Sequence, residues 1–272
     1  MKKILARAAV YLLVFVLTGF VVFCANIFYG GPSASILMYH SVGAPNGQTT
    51  CLDVSEQDFA RQMAFLHACG FHVVRLADLA VLLKRGEKVK AGTVVITFDD
   101  GYDNNYTKAF PILKKYGFPA TIFVIAGRLG KDYDVAKGVP GRIVTPQMMQ
   151  EMVASGLIDI GSHTTSHYYL PGIHDASLLW EELRGSRTFL EAVVGAPVVS
   201  LSYPLGGYRR STEEMARRAG YEVAVATSKK DGGMDTDLFA LRRIRISKSS
   251  RHMFVFFLEV SGYYPRLKGF SR

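Results

Sequence analysis

The sequence predicts an α/β protein built on a mainly parallel sheet, and two observations carry that prediction. Short β-branched or apolar runs alternate along the chain with segments patterned as amphipathic helices, which is the signature of repeated strand–helix units. The residues with chemical potential, His40, Asp99, Asp100, His163 and Tyr203, all fall where such a run ends. Strand carboxyl ends and the loops after them are where parallel α/β folds carry their chemistry. With 272 residues the chain can form one large domain with its own core. Its apolar and charged fractions are those of a globular protein, with no internal repeat and no low-complexity tract.

Residues 1–30 stand apart. Lys2, Lys3 and Arg7 precede an uncharged stretch from Ala8 to Ser35, and Ala8 to Phe28 is almost wholly apolar. That is about the length needed to cross the hydrocarbon core as a helix. A cleaved signal peptide is the rival, but its apolar region is normally shorter and ends at a small-x-small site. Phe23-Cys24-Ala25 is a poor one, and Cys24 lacks the small residue that precedes a lipoprotein cysteine. The sequence therefore predicts an uncleaved signal anchor over residues 1–30. Basic residues on its amino side put that end in the cytoplasm. Residues 31–272 then form the folded domain, outside the inner membrane.

Gly30 to Ser33 is a short linker. Ser35 to Val42 reads as the first strand, with His40 near its end. Ser55 caps a helix to about Cys69, with Phe59, Met63 and Leu66 on one face and Gly70 ending it. A strand over Phe71–Leu76 and a short helix over Ala77–Lys84 follow. Thr93 to Phe98 is β-branched enough for a strand buried on both faces, and Gly101 allows a sharp exit. A helix runs through Pro111 to Tyr116, then a strand over Ala120–Ile125. The Gly-, Asp- and Lys-rich stretch from Gly127 to Val144 reads as a rim loop. Thr145-Pro146 starts a helix that ends near Gly156. Ile158 to Gly161 is a strand, Asp175 to about Val194 a helix, and Val198 to Tyr203 a strand. A helix over Thr212–Ala219, strands over Glu222–Ala226 and Leu241–Ile246, and a helix from about Ser250 to Val260 complete the chain.

Asp99 and Asp100 are adjacent carboxylates at the end of a buried strand. Such charges persist where a metal or a proton-transfer role compensates their burial; the plain alternative is two solvated aspartates capping the next helix. His163 and His167 end another strand. Two histidines and a carboxylate suit a borderline metal and leave positions open for water and substrate.

Thr97-Phe98-Asp99-Asp100-Gly101 together with His163-Thr164-Thr165-Ser166-His167 resembles the first two motifs of the polysaccharide deacetylases, the NodB-homology domain of carbohydrate esterase family 4. The similarity covers roughly residues 35–260. It implies a distorted (β/α) barrel and a metal-dependent hydrolase that removes N-acetyl groups from an amino-sugar polymer. It implies Asp99 as general base and Asp100, His163 and His167 as ligands of a divalent ion, zinc foremost, with cobalt or nickel as substitutes. Leu201 to Tyr208 resembles the third motif, which implies that the Tyr203 N–H helps hold the oxyanion. Pro204, Gly206 and Tyr208 then line the substrate.

The chain departs from the better-known pattern in two places. Ser202-Tyr203 stand where that pattern carries the Arg that orients the base, and no late Leu-x-His motif supplies an acid. Ile36 to Val42 resembles instead the amino-terminal motif of the poly-N-acetylglucosamine deacetylase branch, where an early histidine is the acid. This points to His40. Leu241 to Ile246 resembles that branch's late strand, which makes Arg243 the residue to orient Asp99.

Removing the three basic residues of the anchor from the net charge of +9 leaves +6. A basic surface beside anionic headgroups accounts for that, and nucleic acid is a poor partner for an exported protein without a recognised motif. The expected partners are an N-acetylated amino-sugar polymer and, through the anchor, the membrane. The same chemistry on a lipid-linked sugar, such as deformylation, is the nearest rival, and a non-catalytic sugar-binding protein is a more distant one. Cys51 and Cys69 would pair only in an oxidising compartment. His174 follows the histidine loop and is the remaining histidine nearest to the motifs.

Overall fold

The computed structural model describes residues 34–43, 50–133, 141–227 and 237–261, with the helical positions 7, 11, 14, 15, 18 and 19 in the amino-terminal segment. The anchor expected over residues 1–30 thus lies, apart from those positions, outside the described residues. Among the described residues no helix is long and apolar enough to cross a membrane.

Strand and helix alternate as expected. β1 (Ala34–Tyr39) leads to α1 (Glu56–Ala68), β2 (His72–Val74), α2 (Leu76–Lys84) and β3 (Thr93–Phe98). A π turn (Asn105–Ala109) enters α3 (Phe110–Tyr116), followed by β4 (Ala120–Val124). The rim loop carries a small antiparallel pair, β5 (Asp132–Tyr133) and β6 (Gly141–Arg142). Then come α4 (Pro146–Ala154), β7 (Ile158–Ser162) and α5 (Ala176–Trp180), which continues through a second π turn (Glu181–Gly185) into α6 (Ser186–Val194). β8 (Ser200–Ser202), α7 (Arg210–Arg218), β9 (Val223–Thr227), β10 (Leu241–Arg245) and α8 (Met253–Val260) complete it.

The sheet order is β1-β10-β9-β8-β7-β4-β3, and β1 also pairs with β3, so seven parallel strands close on themselves. β2 lies outside the ring, pairing with the first half of β3 while β4 takes the second half of the same edge. This is a (β/α) barrel of seven strands. Alternation along each strand sorts the side chains. Leu37, Tyr39, Ile96 and Phe98 belong to the large core beneath the helices, whereas Ile36, Val95, Phe123, Val225 and Leu241 form a smaller cluster. Gly161 makes room for that cluster, since a Cβ there would sit 2.4 Å from the Phe123 ring.

An expected boundary shifts near the carboxyl end. The last helix begins at Met253 rather than Ser250, after a 3-10 turn over Lys248–Arg251. Ser250 is drawn inward, its carbonyl accepting from Gln62 Nε2 at 3.1 Å and its hydroxyl donating to Glu259 Oε1 at 3.1 Å. Cys51 and Cys69 are both exposed and no disulfide joins them.

Candidate active site

The carboxyl end of the barrel gathers the polar residues. Thr97, Asp99, Ser202 and Arg243 share one hydrogen-bonded group. Arg243 grips Asp99 with both arms of its fork, Nη1 donating to Oδ1 at 2.7 Å and Nη2 to Oδ2 at 2.6 Å. The same guanidinium donates to Thr97 Oγ1 at 3.2 Å and Ser202 Oγ at 2.9 Å, and its carbon lies 5.6 Å from the centre of the Phe123 ring. Asp99 and Arg243 are 4% and 3% exposed, so this is a buried, bidentate ion pair. Burial alone would raise the Asp99 pKa, but the Arg243 charge and the Arg243 hydrogen bonds hold it well below the usual carboxylate range.

Asp100 points to other partners. Its Oδ1 lies 3.6 Å from Nε2 of both His163 and His167. The three side chains offer ligand atoms within 4.8 Å of one another. Ligand atoms about 2 Å from a tetrahedral ion lie about 3.3 Å apart, so the spacing suits a small divalent cation. The donor set suits one too. His163 Nδ1 lies 2.8 Å from the Ser202 carbonyl, which can only accept. Nδ1 therefore carries the proton and Nε2 keeps its lone pair.

Backbone geometry marks the same place. Among the described residues, the non-glycine positions with positive φ are Asp100 (67°), Thr164 (65°), His167 (60°) and Leu205 (57°). All four belong to the three motif loops, and such conformations persist only where the surroundings over-determine them.

His40 follows β1 directly, and its carbonyl accepts from Asn105 Nδ2 at 2.8 Å. Asn104 secures the next residues, accepting from the Val42 N–H at 3.2 Å and donating to Ser41 Oγ at 2.8 Å. The His40 Nδ1 is buried with no hydrogen-bond partner among the described residues. Burial lowers its pKa, and the opposing charges of Asp100 and Asp99 offset this only in part.

Tyr203 requires a correction. Its ring is 1% exposed and stacked on Tyr208 at 4.8 Å. Its N–H donates to the Val225 carbonyl at 3.1 Å as part of the sheet. Neither ring nor amide is left for a ligand. Pro204, also buried, has no N–H, so the next amide along the chain belongs to Leu205, 67% exposed. Gly206 (φ 69°) cannot carry a side chain, because a Cβ would meet the Thr227 backbone nitrogen at 2.9 Å. Tyr208 is half-buried, and Tyr169 lies so close over Gly207 that a Cβ there would touch its ring at 2.2 Å.

The sequence profile of the polysaccharide deacetylases matches residues 86–224, half of the chain. The protein belongs to that family. YxkH of Bacillus subtilis (strain 168), which carries the same family name, is 34% identical over 212 residues, covering 78% of this chain and 71% of YxkH. A poly-beta-1,6-N-acetyl-D-glucosamine N-deacetylase of Staphylococcus epidermidis is 26% identical over 208 residues, covering 72% and 69%. The solved structure of IcaB from Ammonifex degensii superposes with a TM-score of 0.71 at 24% identity, covering 86% of this chain and 97% of that one. IcaB thus shares the fold.

Four residues of this chain have structural roles that sequence reasoning did not assign. Thr97 and Ser202 each accept a hydrogen bond from the Arg243 guanidinium. Asn105 holds the His40 turn, and Glu182 lies beneath the histidine loop. Ser202 and Asn105 sit within or beside the motifs and were legible by position; Glu182 was not.

Proposed function

We propose that this deacetylase hydrolyses the N-acetyl groups of N-acetylglucosamine-type residues in an envelope or extracellular polymer. The observation that carries the reading is one pair of neighbours. Asp99 is kept ionised by Arg243, while Asp100 lies 3.6 Å from two histidines. A base and a cation site thus stand side by side. The name of the Staphylococcus epidermidis relative supports the choice of polymer.

Asp100, His163 and His167 would hold the ion, with zinc the best match and cobalt or nickel workable. Bound there, it supplies Lewis-acid polarisation of the acetamide carbonyl. Asp99 removes the proton from the attacking water, and Arg243 keeps that carboxylate ionised and aimed. A backbone N–H steadies the negative charge on the former carbonyl oxygen, and we assign it to Leu205 in place of Tyr203. His40 delivers a proton to the nitrogen as the C–N bond breaks, so that amine and acetate leave. Tyr208 and the Gly206 turn border the sugar. Residues 1–30 anchor the domain to the outer face of the inner membrane.

Acetate release from N-acetylglucosamine oligomers by the full chain in detergent, with zinc and with a chelator, tests this. Acetate that appears only with metal supports the reading. Metal bound without acetate would move the substrate to another acyl group or a lipid-linked sugar. No metal bound would return the protein to the sugar-binding class.

A further inference from the structure

The histidine loop has an unusual support on its far side. Glu182 is 2% exposed and sits in the π turn that interrupts the α5–α6 rod. Its Oε2 accepts from two successive backbone amides, Thr165 N–H at 3.1 Å and Ser166 N–H at 2.9 Å. Among the described residues it forms no ion pair. A carboxylate buried without a cation is costly, and strong hydrogen bonds to the charged group are what compensate.

The loop needs such support. Thr164 and His167 both adopt positive φ, which a short loop of non-glycine residues does not keep unaided. One side is held by the chain after β4, where the Ala126 and Gly127 amides donate to the Thr164 and Thr165 carbonyls at 3.0 and 2.9 Å. Within the loop, His167 N–H donates to Thr164 Oγ1 at 3.1 Å. A cavity of about 450 Å³ borders the loop, its lining including Ala126, Gly127, Thr165, Ser166, Leu178 and Glu182. On the α5–α6 side the loop is held by hydrogen bonds, Thr165 and Ser166 N–H donating to Glu182 and Thr165 Oγ1 donating to the Glu181 carbonyl at 3.2 Å.

We infer that Glu182 is a positioning residue for metal binding: its carboxylate clamps the Thr165 and Ser166 amides and thereby sets the His163 and His167 rings at their distance from Asp100. The inference rests on the reading of Asp100, His163 and His167 as ligands. The π turn fits the role, since such turns recur at functional sites, and here it presents Glu182 to the loop.

Glu182→Met keeps the side-chain length and removes the acceptor, while Glu182→Gln retains an acceptor oxygen. Cobalt affinity, the visible cobalt spectrum and amide exchange of the 163–167 segment in the metal-free protein are compared with wild type. Loss of a partner behind the ligands typically weakens metal binding about 10- to 100-fold, and that is expected of Glu182→Met, with an altered spectrum and faster exchange. Glu182→Gln should recover most of the affinity and the wild-type spectrum. A folded Glu182→Met protein with wild-type affinity, spectrum and exchange would overturn the inference. So would a Glu182→Met chain that loses its far-ultraviolet circular dichroism, because the carboxylate would then serve the fold rather than the loop. If wild type binds no cobalt or zinc, the ligand reading fails, and with it the metal half of the inference; faster exchange in Glu182→Met would still establish the clamp.

Discussion

Asp99 and Asp100 are neighbours in sequence and nearly equal in burial, yet they are held by opposite means. Asp99 directly follows β3 and is met by side chains from strands, with Arg243 taking both oxygens and Ser202 and Thr97 sharing the guanidinium. Asp100 has turned into positive φ and faces two histidines on a loop that is itself backbone-strained. The first carboxylate has its charge state settled within the protein. The second has no such cation beside it and is suited to one from outside. A proton acceptor must be ionised and steady before substrate arrives, whereas a ligand cluster gains its balance from the ion it binds.

That contrast can be broken from either side. Asp99→Asn leaves the Asp100 cluster intact and should cut turnover by about 10²- to 10⁴-fold with metal content unchanged; loss of metal would merge the two halves. Arg243→Met removes the cation from a buried pair and should cost about 3–5 kcal/mol in chemical denaturation. It should also move the acidic limb of kcat/KM. The depressed Asp99 pKa gives stability that is present above the usual carboxylate range and lost as pH falls through the lowered value. Without Arg243, burial raises that pKa, so the limb shifts to higher pH. His163→Ala should reduce zinc affinity by about a hundredfold or more, measured by competition with a chromogenic chelator. His174→Ala sharpens the boundary: the residue is exposed, and its loss should leave turnover within about twofold.

Much of this was legible in the chain because strand ends announce themselves. The β-branched run into Asp99-Asp100-Gly101 and the run into His163 both became buried parallel strands, and the order of elements followed from alternation. What was hidden depends on register. The resemblance named Arg243 as the partner of Asp99, but not the register that brings them together, in which β1 bridges β10 and β3 and pairs Leu37 with both Ile244 and Ile96. The Tyr203 amide was unreadable for the same reason, its fate being set by β9. Glu182 lies in a stretch where a helical glutamate reads as solvated, and only the π turn and the position of the loop reveal it as buried.

The closure of the barrel by β1 has a consequence for biosynthesis. Asp99 and Arg243 are 144 positions apart, and β10 is the last strand of the ring to be synthesised. A growing chain therefore carries its paired aspartates without their arginine for more than half of its elongation. Long-range pairing of this kind slows folding, and a barrel missing its final stave has open edges. No shortened product that stops before residue 243 can assemble the acid–base half of the site, however well its first strands are formed.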